Sequence, residues 1–161
     1  MYTNKRHIPR ILFLAIPLLV IFSSCDPDRI YEKNIRVPQN GWPVGEKVSF
    51  EVPITDSIAL NSFYINLRHN EDYKFSNLYL FIDTYVPQGQ HARDTIELIL
   101  ADKAGKWYGE GFGKIKEYQV LIRQAVVFPV TGVYNISIQH GMRESNLQGI
   151  EDIGIRFERM N

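Results

Sequence analysis

The feature that most limits the fold of this chain is a period of two. Between residues 133 and 140, Tyr134, Ile136 and Ile138 alternate with Asn135, Ser137 and Gln139. Residues 63–69 repeat the pattern, with Phe63, Ile65 and Leu67 set against Tyr64, Asn66 and Arg68. Successive side chains of a strand point to opposite faces, so such a segment buries one face and wets the other. A helix would need apolar residues three and four apart, and no stretch sustains that beyond a turn or two. Further short runs lie at 48–55, 96–100 and 118–128, and Ile153, Ile155 and Phe157 mark the last. Residues 78–86 are apolar on both faces. About seven or eight strands at this spacing predict an all-β fold, a single antiparallel β-sandwich. The rival is a small membrane barrel, which would carry a lipid-facing apolar band on every strand.

Turn chemistry separates the runs. Val86-Pro87-Gln88-Gly89 and Asp102-Lys103-Ala104-Gly105 read as turns. Pro129-Val130-Thr131-Gly132 reads as a hairpin loop with glycine at a positive-φ position.

The start of the chain follows another logic. Lys5, Arg6 and Arg10 precede an apolar run at 11–22, and Ser23-Ser24 lead into Cys25, the one cysteine of the chain. The run falls short of the ~20 apolar residues a spanning helix needs, and Pro17 interrupts it. The order of charge, apolar core and small residues predicts a bacterial lipoprotein signal peptide cut before Cys25. A plain signal peptide with an incidental cysteine is the alternative, and Phe22 stands where leucine is usual. A lone cysteine makes no internal disulfide, whereas a thioether to lipid gives it a use. Stable anchoring takes two or more acyl chains, palmitate among the expected ones. The chain is thus expected to comprise a signal peptide (1–24), a lipid-anchored tether (25–44) and a sandwich domain (45–161). Pro27, Pro38, Gly41 and Pro43 break up the tether, although a short strand at 30–37 has room to dock.

Charge narrows the partners. Eighteen Lys and Arg balance eighteen Asp and Glu, but no acidic residue precedes Cys25. The processed chain is therefore acidic on balance, which argues against nucleic acid as a partner.

No constellation points to catalysis, a metal or a cofactor. His7 lies in the signal and His91 in an expected loop. His69 and His140 continue the apolar registers of their strands, where they would meet or cap the core at one end. A zinc site needs three or four ligands, and the spacing implies no others. There is no Gly-x-Ser-x-Gly elbow, and Glu71-Asp72 and Glu151-Asp152 sit at turns. Gly109, Gly111 and Gly113 lack the dinucleotide-binding spacing and read as backbone packed close to an aromatic ring. Trp107 and Tyr108, with Phe112, form a candidate stacking platform for a sugar. Arg68 lies opposite the apolar face of its strand, and Arg143 follows a strand end. Each arginine suits either a turn-fixing role or a partner contact.

With these segments in view, the chain resembles the GldH-type gliding-motility lipoprotein family. The resemblance rests on LRHNEDYKFSNLYLF (67–81), LADKAGKWYGEGFG (100–113), FPVTGVYNISIQHGMR (128–143) and LQGIEDIGIRFE (147–158). It implies a non-enzymatic lipoprotein of the cell envelope, expected at the outer membrane and tied to the gliding and protein-secretion apparatus. Only Cys25 carries over as a functional residue. The implied role is a membrane-anchored binding or scaffolding module with envelope proteins as partners. A glycan-binding module is the alternative. Asp56-Ser57-Ile58 and Asp94-Thr95-Ile96 resemble the acidic-hydroxyl-aliphatic sites of O-glycosylation in exported proteins of such bacteria, which makes Ser57 and Thr95 candidates.

Overall fold

The computed structural model describes residues 26–160. Ten strands lie within them and no helix. They are β1 (Arg29–Arg36), β2 (Trp42–Pro43), β3 (Val48–Ile54), β4 (Asn61–His69), β5 (Asn77–Tyr85), β6 (His91–Ile99), β7 (Lys116–Val126), β8 (Gly132–His140), β9 (Asn146–Leu147) and β10 (Ile150–Arg159). Two four-stranded sheets run β1-β10-β4-β7 and β3-β8-β5-β6, and the short pair β2-β9 stands apart. Every pairing is antiparallel. The fold is the expected all-β sandwich.

The alternation read from sequence sets the faces. Ile65 and Leu67 of β4 and Ile153, Ile155 and Phe157 of β10 point inward. They meet Leu78, Leu80 and Ile82 of β5, Tyr134, Ile136 and Ile138 of β8, and Phe50 and Val52 of β3. Rings lock one end of this core, where Phe128 packs edge-on against both Tyr134 and Phe157.

Three expectations change. First, the short strand allowed at 30–37 does dock, as β1, and it brings much of the stretch read as a tether into the sandwich. β1 pairs along most of β10, and Val37 and Trp42 are buried. Trp42 Nε1 donates to Glu46 O at 3.0 Å, which satisfies the one polar group of a buried indole. Second, His91 is not in a loop. It opens β6 opposite Tyr85, because Val86 and Gln90 close a tight turn through Val86 N to Gln90 O at 2.9 Å. Third, residues 129–132 do not form a hairpin. β7 and β8 lie in different sheets, so this segment arches across the sandwich. Gly132 does take a positive φ of 134°. The arch is held by Tyr134, whose hydroxyl donates to Val130 O at 2.9 Å.

Candidate functional site

Alternation also fixes what the first sheet shows to solvent. Its register lines up outward residues in rows that cross all four strands. One row runs Arg36, Asp152, Arg68, Glu117, with charge alternating in sign. The next runs Asn34, Gly154, Asn66, Gln119, and a third runs Glu32, Arg156, Tyr64, Leu121. The side chains are cross-linked. Arg68 Nη1 donates to Asp152 Oδ2 at 2.7 Å. Arg68 Nε lies 2.9 Å from Glu117 Oε1, out of line for a hydrogen bond, so that contact is an ion pair. Gln119 Nε2 donates to Asn66 Oδ1 at 3.0 Å, and Asn66 Nδ2 donates to Asn34 Oδ1 at 3.1 Å and to Glu32 Oε1 at 2.9 Å. Gly154 makes the amide row possible. A Cβ there would collide with Asn34 Oδ1, so the missing side chain lets Asn34 lie across β10 toward Asn66.

Arg156 gathers the carboxylates at the end of the third row. It bonds Glu32 at 2.7 Å, Glu158 and Asp26. Asp26 immediately follows Cys25, and Arg156 fastens it to the sheet. Cys25 itself and the segment 1–24, expected as a signal peptide, lie outside the described residues.

The chain after Gly105 builds a wall beside this face. Tyr108 N donates to Leu100 O at 2.9 Å, and Glu110 and Glu117 exchange two backbone hydrogen bonds of 3.0 and 2.7 Å. Glu110 thereby adds one bridge to the outer edge of β7. The alternating glycines serve this close approach. A Cβ on Gly111 would collide with Ile115 O, and one on Gly109 would lie 2.9 Å from Glu117 O. The neighbour is chiefly backbone rather than the expected aromatic ring. Phe112 stands at the tip of the wall, 101% exposed. Between wall and rows lies a depression of about 570 Å³ lined by Glu32, Asn34, Asn66, Arg68, Glu117 and Asp152, among others.

The other candidate residues scatter. Trp107 is half-buried, its ring 4.4 Å from His69 and 6.5 Å from Tyr73, so it faces the core rather than solvent. Tyr108 is half-exposed and leans on Tyr118 at 6.2 Å. Arg143 is exposed in the bend between β8 and β9, away from the strand β4 that carries Arg68. Ser57 is half-buried in the β3-β4 connection. Asp56 shapes that loop, its Oδ1 accepting from Ile58 N at 3.0 Å and Ala59 N at 3.2 Å. Thr95 is exposed on the edge strand β6.

The two core histidines have separate ring partners. His69 packs on Trp107 and Tyr73, and His140 sits edge-on to Trp42 at 5.5 Å. Burial pushes the pKa of both rings down. Neither nitrogen of His140 has an aligned hydrogen bond, although the backbone of Trp42 and Pro43 lies beside the ring. No group of three or more metal-ligating side chains is found among the described residues.

Two features escaped the sequence reading. Asp83 faces outward from β5 yet is 1% exposed. Arg93 grips it through Nε and Nη2, both at 2.8 Å, while Lys47 Nζ and His91 Nε2 each approach to 2.9 Å. The Arg93 hydrogen bond, with help from Lys47 and His91, holds the carboxyl well below the usual carboxylate range. The signal was an aspartate inside the apolar run 78–86, which demands a compensating cation. The second feature is an apolar crevice of about 230 Å³ between β6 and β7, lined by Ile96, Ile122, Val127, Phe128, Ile136 and Phe157, among others. It assembles from strands far apart in the chain, so no local signal exists.

Residues 29–157, almost the whole described sandwich, match the GldH lipoprotein family. The chain belongs to the GldH lipoprotein family. Two GldH relatives support this over their full architecture. The "gliding motility lipoprotein GldH homolog" of Christiangramia forsetii is 36% identical, covering 92% of this chain and 94% of that protein. The "gliding motility lipoprotein GldH" of Flavobacterium johnsoniae is 35% identical with the same coverage. Among solved structures, the VP2 subviral particle of infectious bursal disease virus matches with a TM-score of 0.35 and 11% identity, over 79% of this chain and 32% of that one. That likeness is too slight to carry an argument about this GldH-family chain.

Proposed function

We propose that this protein is a non-catalytic docking module of the gliding machinery, held at the outer membrane by acyl chains on Cys25. Its partner is another envelope protein, which adds an extended apolar segment along β6 and seats side chains in the β6-β7 crevice. The observation that carries this reading is the asymmetry of the sandwich. On one side the edge strands β1 and β3 approach each other. On the other, β6 ends its sheet unpaired, and the crevice leads from its edge down to Ile136 and Phe157. Among the described residues, the one ion pair across that opening is Arg123 to Asp94 at 4.0 Å. An unpaired strand edge is a template for strand addition, with backbone bonds giving affinity and alternate side chains filling pockets. Family membership supports the setting, since the relatives are named as gliding-motility lipoproteins.

Site-specific photocrosslinking in living cells tests it. Val127 is 48% exposed and lines the crevice, whereas Glu51 sits on the outer face of β3. A crosslinker at 127 is expected to capture one envelope protein through a segment of alternating apolar residues, and a crosslinker at 51 is not. Equal capture from both positions, or attachment to a helical or disordered segment, would overturn the reading.

A further inference from the structure

We infer that the walled polar face of the β1-β10-β4-β7 sheet is a binding site for a neutral, polyhydroxylated glycan chain. The inference stands apart from the β6-β7 crevice and uses none of its residues.

The floor has the chemistry that hydroxyls require. A sugar hydroxyl both donates and accepts, and a vicinal pair of hydroxyls is met by a planar group that offers two contacts at once. Asn34, Asn66 and Gln119 set three planar amides in one row, flanked by the carboxylates of Glu32 and Asp152 and by the Arg68 guanidinium. Their mutual hydrogen bonds fix these groups before any ligand arrives. Preorganisation of that kind reduces the entropy lost on binding. Capacity remains open, because Asn34 Nδ2 and Gln119 Oε1 have no hydrogen bond among the described residues. Strands in a sheet lie about 4.8 Å apart, so the row from β1 to β7 spans a length comparable to a few linked sugar rings. The depression of about 570 Å³ fits such a fragment and falls in the ordinary size range of ligand sites.

Charge selects among ligands. Glu32, Glu110, Glu117 and Asp152 line the depression against a single arginine, Arg68. Phosphorylated, sulfated or uronic glycans would be repelled. The wall supplies the apolar half of the site. Phe112 is wholly exposed, yet it is held on a backbone bridge and a glycine-built turn. Phe112 follows Gly111, which lines the depression, and a phenyl ring kept out of the core there gains when the carbon-bound face of a pyranose covers it. Of the platform expected from Trp107, Tyr108 and Phe112, Trp107 turns to the core and Phe112 stays fully exposed.

The test uses the full-length lipidated protein in detergent micelles, with side-chain amides followed by NMR. The probe is the pool of neutral oligosaccharides released from the envelope of cells that carry the protein. Saturable shifts are expected in the amides of Asn34, Asn66 and Gln119. Phe112→Ala, a surface change that leaves the melting temperature intact, is expected to weaken binding about tenfold, as is Asn66→Ala. Absence of shifts at saturating oligosaccharide would overturn the inference. So would shifts that persist unchanged in both variants. A Lys-rich nonapeptide that moves these amides while the oligosaccharides do not would also overturn it, by showing that the groove reads positive charge. Crosslinking from position 127 is unaffected by either substitution, which keeps the two readings separable.

Discussion

Asp83 shows how one residue can organise charges that are distant in sequence. Its carboxylate is the common partner of Lys47, His91 and Arg93, drawn from two other segments of the chain. Arg93 foremost lowers its folded pKa below the ordinary 3.8. The unfolded chain therefore binds a proton at higher pH than the folded one. The resulting stability is complete above about pH 4 and drains away as pH falls through the acid range below it. Asp83→Asn takes the shared carboxylate from Lys47, Arg93 and the His91 ring, but each is 39–47% exposed and can reach water. Removal is expected to cost roughly 1–3 kcal/mol at pH 7. Urea denaturation at pH 7 and pH 3 checks this, with the gap between variant and parent narrowing at the lower pH. Arg68 was legible as an outward polar residue from the alternation of β4 alone. Its partners Asp152 and Glu117 were not, because they come from strands placed beside it only by folding.

At the scale of elements, strands with one buried face were the readable ones. β3, β4 and β8 alternate because their neighbours enforce it, and their bounds fall within two residues of expectation. The first half of β6 showed no pattern, since residues 91–95 are all exposed on a sheet edge. β1 was muted for a related reason, for it is an edge strand with no fully buried residue. The arch at 129–132 carries the same turn residues a hairpin would. Which sheet receives the next strand is decided by long-range pairing, not by the turn. Gly154 belongs at this scale, because it governs how β1 seats on β10. A Cβ there would meet Lys33 O at 2.7 Å as well as the Asn34 side chain, so backbone must move. Gly154→Ala is expected to lower stability by roughly 1–3 kcal/mol. Adding Asn34→Ala should restore only part of it, because the carbonyl contact remains. Hydrogen exchange in β1 should rise in both variants, and thermal denaturation measures the cost.

For the whole molecule, the sandwich was foreseeable from counting alternating runs, whereas its two concave sites were not. Each site is built from strands whose order in space differs from their order in the chain. The anchor is the opposite case, a signal written in a few consecutive residues. Cys25→Ser removes the only thiol in the chain. Metabolic labelling with a fatty-acid probe is expected to mark the parent protein and leave the variant blank, with the sandwich intact in both. Label retained on the variant would show that the lipid sits elsewhere.

The ion pair between Arg156 and Asp26 bears on that anchor. With acyl chains on Cys25, the residue that follows is already clasped by the folded domain, so almost no slack separates bilayer from sandwich. The protein is then not a buoy on a long line but a stud set close to the surface. Effective concentration depends on how far a linker lets a module roam. Here nearly all of it is spent on targets that lie within a molecule's breadth of the membrane, and targets across an aqueous gap must come to it.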